Sequence, residues 1–204
     1  MNNFIKIAVD AMGGDDAPNK IIDGIVHHNK NSENIFYKIF GNKEIIEPKI
    51  SKKNISKEKY EIIHTEEKVE GKDSPLVAAK RGKKTSMWLS IESVKNNTSD
   101  IIISAGNTGA LFVISKLNLK MIENIDKPAL SGLWPNKNGM NIVLDLGANI
   151  ECSEKNLIDF SLMGSALYLS LFNNDTPKVA LLNIGSEELK GNSIIKNTFK
   201  KINE

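Results

Sequence analysis

The chain has 204 residues, 40% hydrophobic and 25% charged, with a net charge of +2. That is enough chain to bury a core and too little net charge to mark a nucleic-acid binder. A lone cysteine, Cys152, excludes internal disulfides and thiolate zinc clusters and suits a reducing, cytoplasmic setting.

The first apolar run, residues 5–9, reads as a strand, and the segment around it holds Lys6 and Asp10 rather than the charged-then-apolar order of a signal peptide. A helical pattern over 18–29 follows, then a strand over 35–40. Residues 43–59, Lys-rich and containing Pro48, predict an exposed helix end and loop. A strand over 60–63, a helix over 75–96 broken near Gly82, a strand over 100–103 and a helix over 108–121 come next. Residues 128–135 predict a strand that turns through 136–139 into a return strand starting near Met140 and taking in 141–144. A helix over 154–172, a strand over 178–182 and a helix over 190–202 complete the pattern. The apolar stretch 160–172 is shorter than a bilayer span and is interrupted by Ser161, Gly164, Ser165 and Ser170, which predicts a buried helix. Alternating strands and helices predict an α/β domain over 1–204, three layers deep in helix–sheet–helix order on a mainly parallel sheet, with one hairpin breaking the pattern.

Four predicted strands end in polar turns that carry glycine, and in open parallel sheets ligands bind at such carboxyl ends. The turns are 10–18, with Gly13, Gly14 and Asp15; 104–109, with Ser104, Gly106, Asn107 and Thr108; 145–149, with Gly147 and Asn149; and 183–192, with Asn183, Gly185, Glu187 and Lys190. Each taken alone also fits a turn that only caps the next helix. Four on one sheet edge predict a site for an anionic or phosphate-bearing ligand, bound by backbone N–H groups and lysine, because Arg81 is the only arginine.

Nucleotide and nucleophile motifs do not fit. No Gly-x-x-x-x-Gly-Lys-Ser/Thr loop, no Gly-x-Gly-x-x-Gly after the first strand and no Gly-x-Ser-x-Gly elbow occurs. His27, His28 and His64 make no metal-binding pattern, and Cys152 has no histidine near it in sequence. The basic group Lys80, Arg81, Lys83 and Lys84 reads either as a solvated loop or as a docking surface for an acidic partner.

The runs Ile7-Ala8-Val9-Asp10-Ala11-Met12-Gly13-Gly14-Asp15, Ser104-Ala105-Gly106-Asn107-Thr108-Gly109-Ala110, Leu144-Asp145-Leu146-Gly147-Ala148-Asn149 and Leu181-Leu182-Asn183-Ile184-Gly185, with Lys190-Gly191-Asn192, resemble the bacterial phosphate acyltransferases. Lys83-Lys84-Thr85-Ser86-Met87 and Asp126-Lys127-Pro128-Ala129-Leu130 extend the resemblance along the chain. It implies a fold related to phosphate acetyltransferases and to isocitrate and isopropylmalate dehydrogenases, usually as a homodimer. It also implies transfer of an acyl group from acyl carrier protein to inorganic phosphate, for phospholipid synthesis, without metal or other cofactor. A downstream membrane glycerol-3-phosphate acyltransferase is the implied consumer, which allows a peripheral position at the inner face of the membrane.

By the same resemblance Lys190 is the first candidate for phosphate or oxyanion contact, with Asn183 and Glu187 on the same edge. Gly106, Asn107 and Thr108 are expected to offer donors, while Asp10 and Asp15 order the loops, since bare carboxylates repel phosphate. Asp16 stands where many relatives carry histidine, and relatives continue past the position of Glu204, so the chain is expected to match the N-terminal part of a longer architecture. Two other readings stay open: a short-chain acetyl- or butyryltransferase using coenzyme A thioesters, and a binding fragment without turnover.

Overall fold

A computed structural model describes residues 4–137, 139–172, 176–185, 187 and 190–203. They divide into two compact units, Met1–Lys120 and Met121–Glu204.

In the first unit Ile5–Asp10 (β1), Ile35–Gly41 (β2), Tyr60–His64 (β3) and Ile101–Ser104 (β4) form a parallel sheet in the order β3-β2-β1-β4. The chain steps outward from β1 to β3 and then crosses back, so strand order reverses between β1 and β4. Alternation along β1 sorts its side chains by face. Ile7 and Val9, with Tyr37 and Ile39 of β2, pack against Ile22 and Ile25 of Asn19–Asn29 (α1) and Ile46 and Ile50 of Lys43–Ile50 (α2). Ile45 faces solvent, whereas Ile46 and Ile50 are fully buried, each contributing roughly 1.5–3 kcal/mol. Their four-residue spacing therefore docks as a packed helix a stretch that its lysine content predicts to be an exposed helix end.

On the opposite face Pro75–Arg81 (α3), Ser86–Lys95 (α4) and Thr108–Leu119 (α5) bury Ala78, Ala79, Met87, Ile91, Ala110 and Ile114 around Ile102. This unit is the expected helix–sheet–helix sandwich. The expected break near Gly82 separates α3 from α4: a Cβ at Gly82 would collide with the Ala78 carbonyl, and the Thr85 hydroxyl caps α4 by accepting from the Trp88 N–H at 3.3 Å.

The second unit holds the expected hairpin, Gly132–Asn136 (β5) paired antiparallel with Gly139–Val143 (β6); Asn138 of its turn lies outside the described residues. Glu154–Leu171 (α6) starts on a reciprocal cap between Ser153 and Asn156. Ser193–Asn203 (α7) is tied to it at Glu154, whose carboxylate accepts from Asn197 at 2.8 Å and Lys201 at 2.6 Å. Those two bonds, the Lys201 one first, hold the Glu154 carboxyl below its ordinary range.

Two expectations change here. Residues 178–182 form no strand, since no described segment pairs with them and a strand needs a ladder to satisfy its backbone. The last helix starts at Ser193, capped by Asn192, so Lys190 precedes it rather than opening it. Among the described residues no helix is long and apolar enough to cross a membrane.

Candidate active site

The reversal of strand order puts the carboxyl ends of β1 and β4 side by side, and the turns that leave them meet through their glycines. Asp10 is paired with Ser104 in the ladder, both on the face covered by α4. A Cβ on Gly13 would lie 3.0 Å from the Gly106 Cα, and one on Gly106 would lie 3.2 Å from the Gly13 Cα. Gly14, at φ +95°, would place a Cβ 2.6 Å from the Ala105 carbonyl oxygen. Only residues without side chains let the two backbones come this close.

Beyond Gly106, Asn107 caps α5: its side-chain oxygen accepts from the Ala110 N–H at 3.0 Å and its carbonyl from the Leu111 N–H. Its amide donates to the carbonyls of Gly71, at 3.0 Å, and Asp73, at 2.9 Å. The Asn107 side chain is thus taken up by holding α5 to the 71–73 segment. The Gly106 N–H goes to the Ser104 hydroxyl at 3.1 Å. Of the first four N–H groups of α5, those of Thr108 and Gly109 remain without a described partner, beside the exposed Thr108 hydroxyl. They are oriented as an anion at this helix end requires. Asp15 is exposed, and Asp16, at φ +58°, accepts from the Asn19 amide at 2.8 Å.

In the second unit the Asp145 carboxylate gathers the 145–149 turn. It accepts from the N–H groups of Leu130 at 2.8 Å, Ala148 at 3.3 Å and Asn149 at 2.7 Å, and from the Asn149 amide at 2.9 Å. Burial pushes its carboxyl up, but these bonds outweigh that and hold it below the ordinary range. Asn149 also donates to the Pro128 carbonyl at 2.8 Å, and Gly147 takes φ +92° in the bend. Sequence pattern does not show this cluster, because the contacts of Asp145 with Leu130 and of Asn149 with Pro128 span 15 and 21 residues.

The 183–191 turn brings the three residues of the predicted catalytic set together. The Asn183 amide donates to the Lys190 carbonyl at 3.3 Å, and the Lys190 N–H donates to the Glu187 carbonyl at 2.9 Å. A Cβ on Gly185 would meet the Glu187 carboxylate and lie 3.1 Å from Lys190 Cγ, so a larger residue there would displace these two exposed side chains. Gly191, at φ +88°, would meet the Asn183 side-chain oxygen at 2.7 Å. Lys190 is exposed and its ammonium makes no ion pair with a described residue. Ser186, Glu188 and Leu189 lie outside the described residues.

The four turns therefore do not share one described sheet edge: two leave the parallel sheet, one follows the β5–β6 hairpin and one follows the segment 176–182, which has no regular secondary structure. Of the basic group, Lys83 and Lys84 are exposed, whereas Thr85, Ser86 and Met87 of the same run are buried.

A four-stranded parallel sheet with helices on both faces and glycine turns at its reversal point defines the class: an open α/β fold whose strand order reverses between β1 and β4. Its fold is shared with EutD phosphotransacetylase from Staphylococcus aureus, at a TM-score of 0.65 and 14% identity over 98% of this chain and 64% of that one. A phosphotransacetylase from Streptococcus pyogenes is similar at a TM-score of 0.62 and 20% identity, over 90% of this chain and 60% of that one. The family described as fatty acid synthesis protein matches residues 5–204, and the chain belongs to it. Phosphate acyltransferase of Pelagibacter ubique (strain HTCC1062) is 68% identical across 100% of this chain and 61% of the relative. That of Listeria welshimeri is 45% identical over 96% of this chain and 57% of the relative. The chain thus spans about three-fifths of the length of the curated relatives it matches.

Proposed function

We propose that the protein acts as a phosphate acyltransferase of phospholipid synthesis. A phosphate oxygen attacks the carbonyl carbon of an acyl thioester on acyl carrier protein, the carbon–sulfur bond breaks, and acyl phosphate and the free carrier thiol are released. The observation that carries this reading is the 68% identity, over all 204 residues, to a phosphate acyltransferase. Because phosphate is itself the nucleophile, the protein's task is to orient it, stabilise the oxyanion and receive the thiolate.

In this reading the Thr108 and Gly109 N–H groups and the Thr108 hydroxyl hold phosphate oxygens. In the second unit, taken by itself, the Lys190 ammonium, free of a described carboxylate, is the candidate for phosphate or oxyanion contact, with Asn183 and Glu187 shaping its turn. Gly13, Gly14 and Gly106 serve by close backbone approach, Gly147 by its positive φ, Asn149 by its bonds to Asp145 and Pro128, and Gly185 by leaving room for the Glu187 and Lys190 side chains, while Lys83 and Lys84 face the acidic carrier protein. The protein works in the cytoplasm as a homodimer, peripheral to the inner face of the membrane, where a glycerol-3-phosphate acyltransferase consumes the reactive anhydride product. A second reading, a short-chain transferase using coenzyme A thioesters, draws on the fold shared with phosphotransacetylases.

The test is trapping of acyl phosphate with hydroxylamine after incubation with phosphate and palmitoyl-loaded acyl carrier protein, or palmitoyl coenzyme A for comparison. Phosphate-dependent product from the carrier thioester is expected, and Lys190→Ala lowers turnover roughly a hundredfold or more. Product only from coenzyme A would favour the second reading. A folded chain that binds carrier protein without turnover would reduce it to a binding fragment.

A further inference from the structure

Asp10 is a carboxylate with 1% of its surface exposed, at the end of the central strand. One oxygen accepts from the Ser86 hydroxyl at 2.6 Å and the Met12 N–H at 3.3 Å, and the other from the Ser104 hydroxyl at 2.7 Å. Ser86 opens α4 and is itself fully buried; Ser104 ends β4 and in turn accepts from the Gly106 N–H at 3.1 Å. The carboxylate therefore connects β1, α4 and β4, and its second oxygen would stand 2.5 Å from a Cβ on Gly13. A buried carboxylate is costly without such donors, so a site that spends two serine hydroxyls on it holds its surroundings to one geometry.

We propose that Asp10 is the positioning residue that sets the distance between the Gly13-Gly14 turn and the Gly106-to-Gly109 turn, acting through the Ser86 and Ser104 hydroxyls rather than on substrate. The run Lys83-Lys84-Thr85-Ser86-Met87 then has two halves. Its lysines face solvent, while Ser86 donates to Asp10 and the Met87 methyl lies 3.0 Å from where a Gly106 Cβ would be. Its link to phosphate affinity rests on the function proposed above; its link to loop geometry does not.

Amide hydrogen exchange on the whole chain separates the two. In Ser104→Ala, and in Asp10→Asn where that variant folds, the hydrogen-bonded amides of the two turns, Met12 in the first and Gly106, Ala110 and Leu111 in the second, should exchange about tenfold faster or more, with β2 and β3 unchanged, because a charge-assisted bond is lost locally. Unchanged exchange in both segments, or an equal rise throughout the sheet, would overturn the proposal. Where the wild type forms acyl phosphate, Ser104→Ala should also raise KM for phosphate about tenfold while KM for the acyl thioester stays within twofold; a kcat loss at unchanged phosphate KM would overturn it too. A wild type without turnover counts against the proposed reaction alone, and exchange still decides the role of Asp10.

Discussion

Asp10 and Asp145 show what carboxylates do at these turns: each is spent on hydrogen bonds from its own chain, Asp10 from two serines and Asp145 from three backbone N–H groups and an amide. That Asp10 orders a loop is what the resemblance implies, together with the repulsion between a bare carboxylate and phosphate. Its partners were not legible in sequence, since Ser86 and Ser104 lie 76 and 94 residues away. Asp145 carries a pH prediction. Burial pushes its carboxyl up and the bonds from Leu130, Asn149 and Ala148 pull it lower still, so its folded value lies below the unfolded one. The stability it contributes is then complete above the unfolded value, about 3.9, and is lost as pH falls through the lower folded value. Asp145→Asn should lower the urea midpoint at neutral pH, and the gap from wild type should close toward about pH 3; a gap that persists in acid would show that ionisation of Asp145 does not contribute.

Among the elements, α5 depends most on a single side chain. Asn107 supplies its cap and binds the carbonyls of Gly71 and Asp73 through the same amide. Asn107→Ala should cost about 2 kcal/mol in equilibrium denaturation, roughly half from the cap and half from the lost amide bonds. Asn107→Asp, which keeps the cap acceptor and loses the amide donors, should fall between. If the aspartate variant matched wild type, the bonds to Gly71 and Asp73 would be contributing nothing. The helix itself was legible from Asn107 and the apolar pattern after it, as were α1, α4 and α6 from theirs. The 43–59 stretch reads as exposed because its six lysines outnumber Ile46 and Ile50, which dock α2, and the segment 178–182 reads as a strand because β-propensity describes a residue's fit to a sheet without supplying the neighbouring strand.

At the scale of the whole molecule, charge is the property open to test. Reversal of Lys83 and Lys84 to Glu should weaken binding of an acidic carrier protein and flatten its dependence on salt, because exposed charges act mainly through screened attraction and association rate. An unchanged salt dependence would return these lysines to a solvated loop. The order of elements in the first unit, the alternation of strands and helices that marks a mainly parallel sheet, and the glycine turns were determined by local pattern, since hydrophobic period and turn chemistry are short-range properties of the chain. What tertiary structure decided was proximity. The placement of β4 beside β1 brought Gly13 against Gly106 and aimed Asp10 at two distant serines, and packing tied the Asn107 amide to the carbonyls of Gly71 and Asp73, because contacts between residues far apart in sequence follow from how strands and helices pack.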